Sequence, residues 1–127
     1  MSASDFLEGE LLDHLFNIGA YSAPATWIGL STADPGDDEG TLAEPVGNGY
    51  AREQVTAWSR TDNEVDNDSA ITFTEASGSW GTITHACIFD AETSGNLLIS
   101  FALDSSVAIT TGDTAQFSAS NFNITLD

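Results

Sequence analysis

Apart from its carboxylates, the sequence offers few residues that could carry out chemistry. There are two histidines, His14 and His85, and one cysteine, Cys87. His85 and Cys87 lie two residues apart on a predicted strand, so both side chains are on one face of it. Residues at this spacing are about 7 Å apart, whereas a nucleophile needs its base within hydrogen-bond distance. We therefore interpret Cys87 as a buried hydrophobic residue and His85 as a core or interface residue.

Two acidic segments have the oxygen ligands that hard cations prefer. In Asp62–Asp68, carboxylates occupy the first, third and fifth positions of a calcium-binding loop. The sixth and twelfth positions are Asn67 and Phe73, where such a loop needs Gly and Glu. We interpret this segment, and the similar cluster Asp34–Glu39, as solvated loops that bind salt ions loosely. One cysteine and two distant histidines do not make a zinc site.

Known catalytic and cofactor motifs are incomplete in the sequence. Ser77-Gly78-Ser79-Trp80-Gly81 lacks the first glycine of a nucleophile elbow. Gly47-Asn48-Gly49 precedes a strand and does not open a helix, as a dinucleotide-binding motif would. The many acids leave open a hydrolase that uses paired carboxylates, but nothing singles out a pair. The sequence therefore predicts no catalytic residue, no metal ligand and no cofactor, and a protein that is not an enzyme.

The charge balance excludes several kinds of partner. Among 127 residues there are twenty acids and two basic residues, Arg52 and Arg60, which gives a net charge of −18. This charge argues against binding to nucleic acid or to anionic membranes. No apolar run is as long as a transmembrane helix, and Met1–Glu10 carries acids where a signal peptide would be positive. An acidic surface without lysine indicates a protein that works in concentrated salt, where charge repulsion is screened.

The first twenty residues predict the only helix. Ser2 or Ser4 can cap it, and Gly19 can end it. Apolar residues recur at helical spacing, namely Leu7, Leu11, Leu12, Leu15, Phe16 and Ile18. This apolar stripe either packs over the chain's own domain or docks on a neighbouring subunit.

After Gly19 the pattern changes to period two, with turn residues between short segments. The predicted strands are Ala25–Ser31, Tyr50–Trp58, Ala70–Thr74, Trp80–Phe89, Asn96–Leu103, Val107–Thr110, Thr114–Ser118 and Asn121–Leu126. This spacing predicts a mainly β protein, with a single antiparallel β-sandwich or jelly-roll-like domain over residues 20–127 and a docking helix over residues 1–19. The long acidic connections Ala33–Asn48 and Arg60–Ser69 are expected to face solvent.

Two further sets of residues could bind or carry sugar. Asn67-Asp68-Ser69 and Asn123-Ile124-Thr125 match the N-glycosylation sequon, a triplet that often arises by chance. Five aromatic residues could stack on a glycan, or could pack in the core instead: Tyr21, Trp27, Tyr50, Trp58 and Trp80. For Trp27 and Trp80, which begin or occupy alternating strands, we favour the core.

Several blocks in order resemble a known family. They are Ala20–Gly36 (AYSAPATWIGLSTADPG), Gly49–Arg52 (GYAR), Asn67–Phe73 (NDSAITF), Trp80–Ala91 (WGTITHACIFDA), Gly95–Leu98 (GNLL) and Thr111–Thr114 (TGDT). Together they resemble small virion proteins of tailed viruses, whose members are known as tail-fibre-like or minor capsid proteins. Ala86-Cys87 departs from the Gly or Phe that often follows the histidine in that family.

The resemblance implies a structural protein on the capsid or tail surface of a virion. Combined with the acidic composition, it predicts a virus of a salt-loving archaeon and a symmetric homo-oligomer that contacts major capsid or tail proteins. Our main expectation is a capsid decoration or turret subunit. The alternative is a tail-fibre-associated subunit, or a module that recognises host cell-surface glycan.

Overall fold

Ten short β-strands and one α-helix make up the chain in the computed structural model, which describes residues 1–127. In chain order they are β1 (Ser2–Ala3), α1 (Asp5–Leu15), β2 (Thr26–Ser31), β3 (Glu53–Val55), β4 (Trp58–Thr61), β5 (Glu64–Asn67), β6 (Ile71–Thr72), β7 (Gly81–Phe89), β8 (Leu97–Ile109), β9 (Gln116–Phe117) and β10 (Asn123–Thr125). No helix is both long and apolar enough to cross a bilayer.

The strands form three antiparallel sheets. The largest has the order β1-β8-β7-β2-β3, and its centre is the long β7–β8 hairpin. A second sheet has the order β10-β5-β4, and β6 pairs with β9 in a third. The sequence prediction of a mainly β, antiparallel domain with one N-terminal helix is therefore confirmed.

The main core lies between the large sheet and the two smaller ones. Apolar side chains from one face of β2, β7 and β8 meet Phe73, Trp80 and Phe122 from the other side. Aromatic rings make edge contacts within it, such as Phe117 with Phe122 at 4.8 Å between centroids. Alternation along β7 decides which residues enter this core: Ala86 and Ile88 do, whereas Cys87 and Phe89 point to the opposite face.

The opposite face of the large sheet is covered by the connection between β2 and β3. Leu42 packs on a small cluster of Cys87, Phe89 and Leu97, and Pro35 is also buried. The expectation that Ala33–Asn48 faces solvent is therefore wrong in part, because the sheet has apolar residues on both faces and needs a second cover.

The acidic segment Arg60–Ser69, expected to be a loop, forms most of a hairpin. β4 pairs with β5 from Trp58↔Asn67 to Thr61↔Glu64, and Asp62 takes a positive φ of 53° in the turn. Asx residues tolerate this conformation, so the turn needs no glycine. Apart from Trp58 and Val65, the residues of both strands are polar, so their sequence shows no period-two apolar pattern.

Candidate functional site

The helix α1 is anchored at its start and exposed at its end. Ser4 caps it by accepting a hydrogen bond from the Leu7 backbone N–H at 3.2 Å. Phe6 and Leu7 pack against the main core. The helix stops at Leu15, with Asn17 at a positive φ of 57°, earlier than the end predicted at Gly19.

The second half of α1 and the residues after it leave a cluster of large apolar side chains in solvent. We call this cluster the helix patch, and it consists of Leu11, Leu12, Leu15, Phe16 and Ile18. Leu15 is 73% exposed and Ile18 is 76% exposed. Neighbouring exposed apolar residues of this size mark interaction surfaces on soluble proteins. The sequence left open whether the apolar stripe packs on the chain's own domain or on a neighbouring subunit. In the structure, Leu7 is the only residue of the stripe that packs on the chain's own core.

A buried arginine organises the covered face of the large sheet. The Arg52 guanidinium forms a two-point ion pair with Glu44, with Nε at 2.9 Å from Oε1 and Nη2 at 2.6 Å from Oε2. Its Nη1 donates to the carbonyls of Ala91 and Ser94, and its plane stacks on Phe89 at 3.4 Å from the ring centroid. These groups satisfy one another, so the cluster has a structural role.

Tyr50 and Gly29 complete this cluster. The Tyr50 hydroxyl donates to Glu44 at 2.7 Å and accepts from the Leu30 backbone N–H at 2.8 Å. Burial raises the pKa of Tyr50, and the nearby Glu44 carboxylate raises it further. A Cβ at Gly29 would lie 2.8 Å from both Glu44 and Phe89, so only glycine fits there.

His85 and Cys87 share a face of β7 as predicted, but they do not form a reactive pair. Cys87 is fully buried, and burial raises the pKa of its thiol to about 12. His85 instead contacts Thr84, with 2.9 Å between Nδ1 and Oγ1, and Asp34, with 3.8 Å between Nε2 and Oδ2. A protonated thiol among apolar neighbours is a poor nucleophile.

Carboxylates of the Asp34–Glu39 cluster accept hydrogen bonds from distant parts of the chain. Glu39 accepts from the Leu97 backbone N–H, and Asp37 accepts from the Ser2 hydroxyl. Three or more His, Cys, Asp or Glu side chains are nowhere grouped so that they could hold a metal ion.

Several of the residues that could stack on a glycan or carry an N-linked sugar are buried or partly buried. Trp80 is buried, and Tyr50 packs against it at 5.3 Å between ring centroids. Trp58 donates its indole N–H to Thr26. Asn67, the first residue of one sequon, is fully buried. Its side-chain nitrogen donates to the carbonyls of Ser69 and Ser118, and its side-chain oxygen accepts from the Phe122 backbone N–H. Asn67 is therefore not accessible for glycosylation. Asn123 is exposed on β10.

These features define a small acidic β-domain that joins a well-packed core to an exposed apolar helix end. Residues 2–125 match the family described as Podophage GP4 fiber I protein gp80, and the chain belongs to this family. No curated protein sequence matches the chain.

Proposed function

We propose that this chain is a structural subunit of a tail fibre on a tailed virus that infects a host living in concentrated salt. The match to a podophage fibre family over residues 2–125 is the observation that carries this proposal. It favours the tail-fibre alternative over the capsid decoration or turret subunit that was our main expectation. The fully buried thiol and the satisfied Arg52 cluster support a structural role over a catalytic one.

The helix patch is proposed as the surface that attaches the domain to another virion protein. Phe6 and Leu7 hold α1 on the β-domain, so the exposed side chains at its other end are presented in a fixed position. We accordingly propose a docking segment over residues 1–19, within which α1 spans Asp5–Leu15, and a β-domain over residues 20–127. In the assembled fibre we expect several copies in a symmetric homo-oligomer.

The acidic composition supports the proposed environment. Without lysine and with a net charge of −18, the chain repels itself at low ionic strength. Molar salt shortens the Debye length to about 3 Å, which screens most of this repulsion. A salt-accumulating archaeal host would provide such conditions.

The test is to dissociate purified virions into head and tail fractions and to quantify the chain in each by mass spectrometry. We expect it in the tail fraction, together with the other fibre proteins, and expect gold-labelled antibody to mark the fibres of intact particles. Recovery of the chain in the head fraction alone would instead support a capsid decoration or turret subunit. Absence from both fractions would show that the chain is not a virion component.

Two variant virions test the role of the helix patch. Virions that carry Leu15→Ser with Phe16→Ser should lose the chain from their tails, because the docking surface becomes polar while the core is untouched. The matched control is Val46→Ser, which changes an apolar residue that is 91% exposed in a loop far from α1 in sequence. Equal incorporation of both variants would contradict docking through the helix patch.

A further inference from the structure

The outer side of β8 is an open sheet edge over most of its length. β8 has 13 residues, and its inner side pairs with β7. Its outer side pairs only with the two residues of β1, as Ser2↔Ser100 and Ala3↔Ile99. From Phe101 to Ala108, which we call the β8 edge, no strand pairs with this side. Backbone N–H and C=O groups along such an edge are ready to pair with another extended chain.

A bulge presents this edge to solvent. The pairing register changes from Ile83↔Val107 to His85↔Ala102, so the four residues Leu103–Ser106 lie opposite the single residue Thr84. The extra residues bend the strand and free part of its backbone from β7. Consequently the five consecutive residues Asp104–Ala108 are exposed, although they alternate between the two faces of the strand.

An apolar groove of about 230 Å³ lies beside the β8 edge. Leu103, Val107 and Ile109 of β8 line it together with Phe117 of β9. Val107 is 48% exposed there, although it is among the most apolar residue types. An open edge with an adjacent apolar groove offers backbone pairing and side-chain burial to the same incoming strand.

The charge distribution indicates which partner fits this edge. Between Glu92 and Asp113, Asp104 is the only charged residue, in a chain whose net charge is −18. A basic partner would be attracted to the acidic surfaces elsewhere. A second copy of this chain carries the same negative charge. Asp34 and Asp37 lie beside Ser100 and Ala102 at the start of the edge, so a second copy meets least repulsion further along, around Ser105–Ala108.

We propose that two copies of this chain pair through their β8 edges, antiparallel and about a twofold axis. An antiparallel edge is self-complementary, because each strand offers the donors and acceptors that the other needs. A twofold axis through Ser106 places Asp104 opposite Ala108 of the second copy and keeps the two Asp104 carboxylates roughly 13 Å apart along the strands. β1 already pairs antiparallel on the same side of β8, so strands of this direction fit there.

This contact would supply one interface of the homo-oligomer in the proposed function, and so it rests in part on that proposal. It is nevertheless tested on the isolated full-length chain in solution. The two proposals can therefore fail separately. Dimerisation of the isolated chain tests the β8 pairing, whereas the presence of the chain in the tail fraction of virions tests the virion role.

The first experiment is sedimentation equilibrium in molar KCl on three proteins: the native chain, Val107→Glu and Val46→Glu. Each variant adds one exposed carboxylate, at the β8 edge and in a distant loop respectively. We expect a native dimer whose Kd rises at least about tenfold in Val107→Glu, since the two added carboxylates would lie on the same face of the paired strands, roughly 7 Å apart along them, and repel each other. Val46→Glu should dimerise like the native chain. A native chain that stays monomeric at all concentrations would overturn the proposal.

The second experiment remains informative if Val107→Glu impairs folding. Ser106→Cys places a new thiol near the proposed axis, while the native Cys87 is fully buried and does not compete. Mild oxidation should give a disulfide-linked dimer, and the matched control Val46→Cys should give far less. Absence of the cross-link in a chain that dimerises would place the interface on another surface and overturn the proposal.

Discussion

Arg52 joins three segments that are distant in sequence. Its guanidinium bonds Glu44 in the β2–β3 connection and the carbonyls of Ala91 and Ser94 in the β7–β8 turn. It also covers Phe89, which belongs to the small cluster on the second face of the sheet. Arg52 is one of only two basic residues in the chain. It fastens the β2–β3 connection to the second face of the large sheet.

Arg52→Met should therefore destabilise the fold by about 3 kcal/mol or more, because it leaves the Glu44 carboxylate partly buried without its partner. Urea unfolding at fixed molar KCl measures this loss. The matched control is Arg60→Met, which changes the other, exposed arginine and should stay within about 0.5 kcal/mol. Adding Glu44→Leu to Arg52→Met should recover part of the loss. Equal stability of the two arginine variants would contradict the structural role of Arg52.

The buried Cys87 thiol predicts a loss of stability in alkali. Its pKa rises from 9.0 to about 12 on folding, chiefly through burial. Above pH 9 the unfolded chain releases this proton while the folded chain keeps it. The free energy of unfolding therefore falls as the pH rises toward 12, by up to about 1.4 kcal/mol per pH unit from this group.

Urea unfolding at a series of pH values above 8 compares the native chain with Cys87→Ala. The variant lacks this proton, so its stability should fall less steeply above pH 9. Tyr50, whose pKa burial also raises, contributes the same slope to both proteins and cancels in the comparison. Parallel curves for the two proteins would show that the thiol ionises equally in the folded and unfolded chains.

At the scale of the elements, α1 depends on a single capping residue that also fastens it to the sheet. Ser4 is 2% exposed, accepts from the Leu7 backbone N–H and donates its hydroxyl to the Leu97 carbonyl. Its own backbone N–H donates to the Leu98 carbonyl at 2.9 Å. These bonds position the helix patch relative to the β-domain.

Ser4→Ala should cost about 1–2 kcal/mol, since it removes the cap and leaves a buried carbonyl without its donor. Circular dichroism during thermal unfolding should show a lower Tm. The control, Ser22→Ala, changes an exposed serine after the helix and should change stability by less than about 0.5 kcal/mol. An unchanged Tm in Ser4→Ala would mean that the Phe6 and Leu7 packing alone fixes α1.

At the scale of the whole molecule, charge repulsion should make stability depend on salt. The free energy of unfolding should increase by at least about 1.4 kcal/mol between about 0.1 M and molar KCl, as the Debye length falls from about 10 Å to about 3 Å. Urea unfolding at each salt concentration measures this. A flat dependence would contradict adaptation to concentrated salt.

A variant with less charge provides the control for this salt effect. Glu75→Gln with Glu92→Gln removes two exposed carboxylates whose side chains accept no hydrogen bond in the fold. Its stability at low salt should exceed that of the native chain, and its salt dependence should be weaker. If the stability of both proteins depends equally on salt, the effect comes from salting-out of apolar surface and not from charge screening.

The sequence alone determined the fold class, the helix at the N-terminus and the strands with strong apolar alternation, such as β2 and β7. Local capping and period-two patterning are sufficient for these because each depends on neighbouring residues. Composition likewise determined the net charge of −18. The order of several sequence blocks pointed to small proteins of tailed viruses, and the family match is the observation that favours the fibre over the capsid in the proposed function.

Tertiary structure decided features that depend on contacts between distant residues. β4 and β5 pair through polar residues, and the two predicted strands Asn96–Leu103 and Val107–Thr110 join into β8 across a bulge. The polar residues of the β4–β5 hairpin and Asp104–Ser106 at the bulge carry no apolar pattern, and pairing there is set by backbone hydrogen bonds across the sheet. Only the tertiary structure brings Arg52 onto Glu44 and Phe89, since a buried charge takes partners from wherever the chain returns. It also decided which apolar residues of α1 remain in solvent, because only Phe6 and Leu7 in the first turn of the helix pack against the main core.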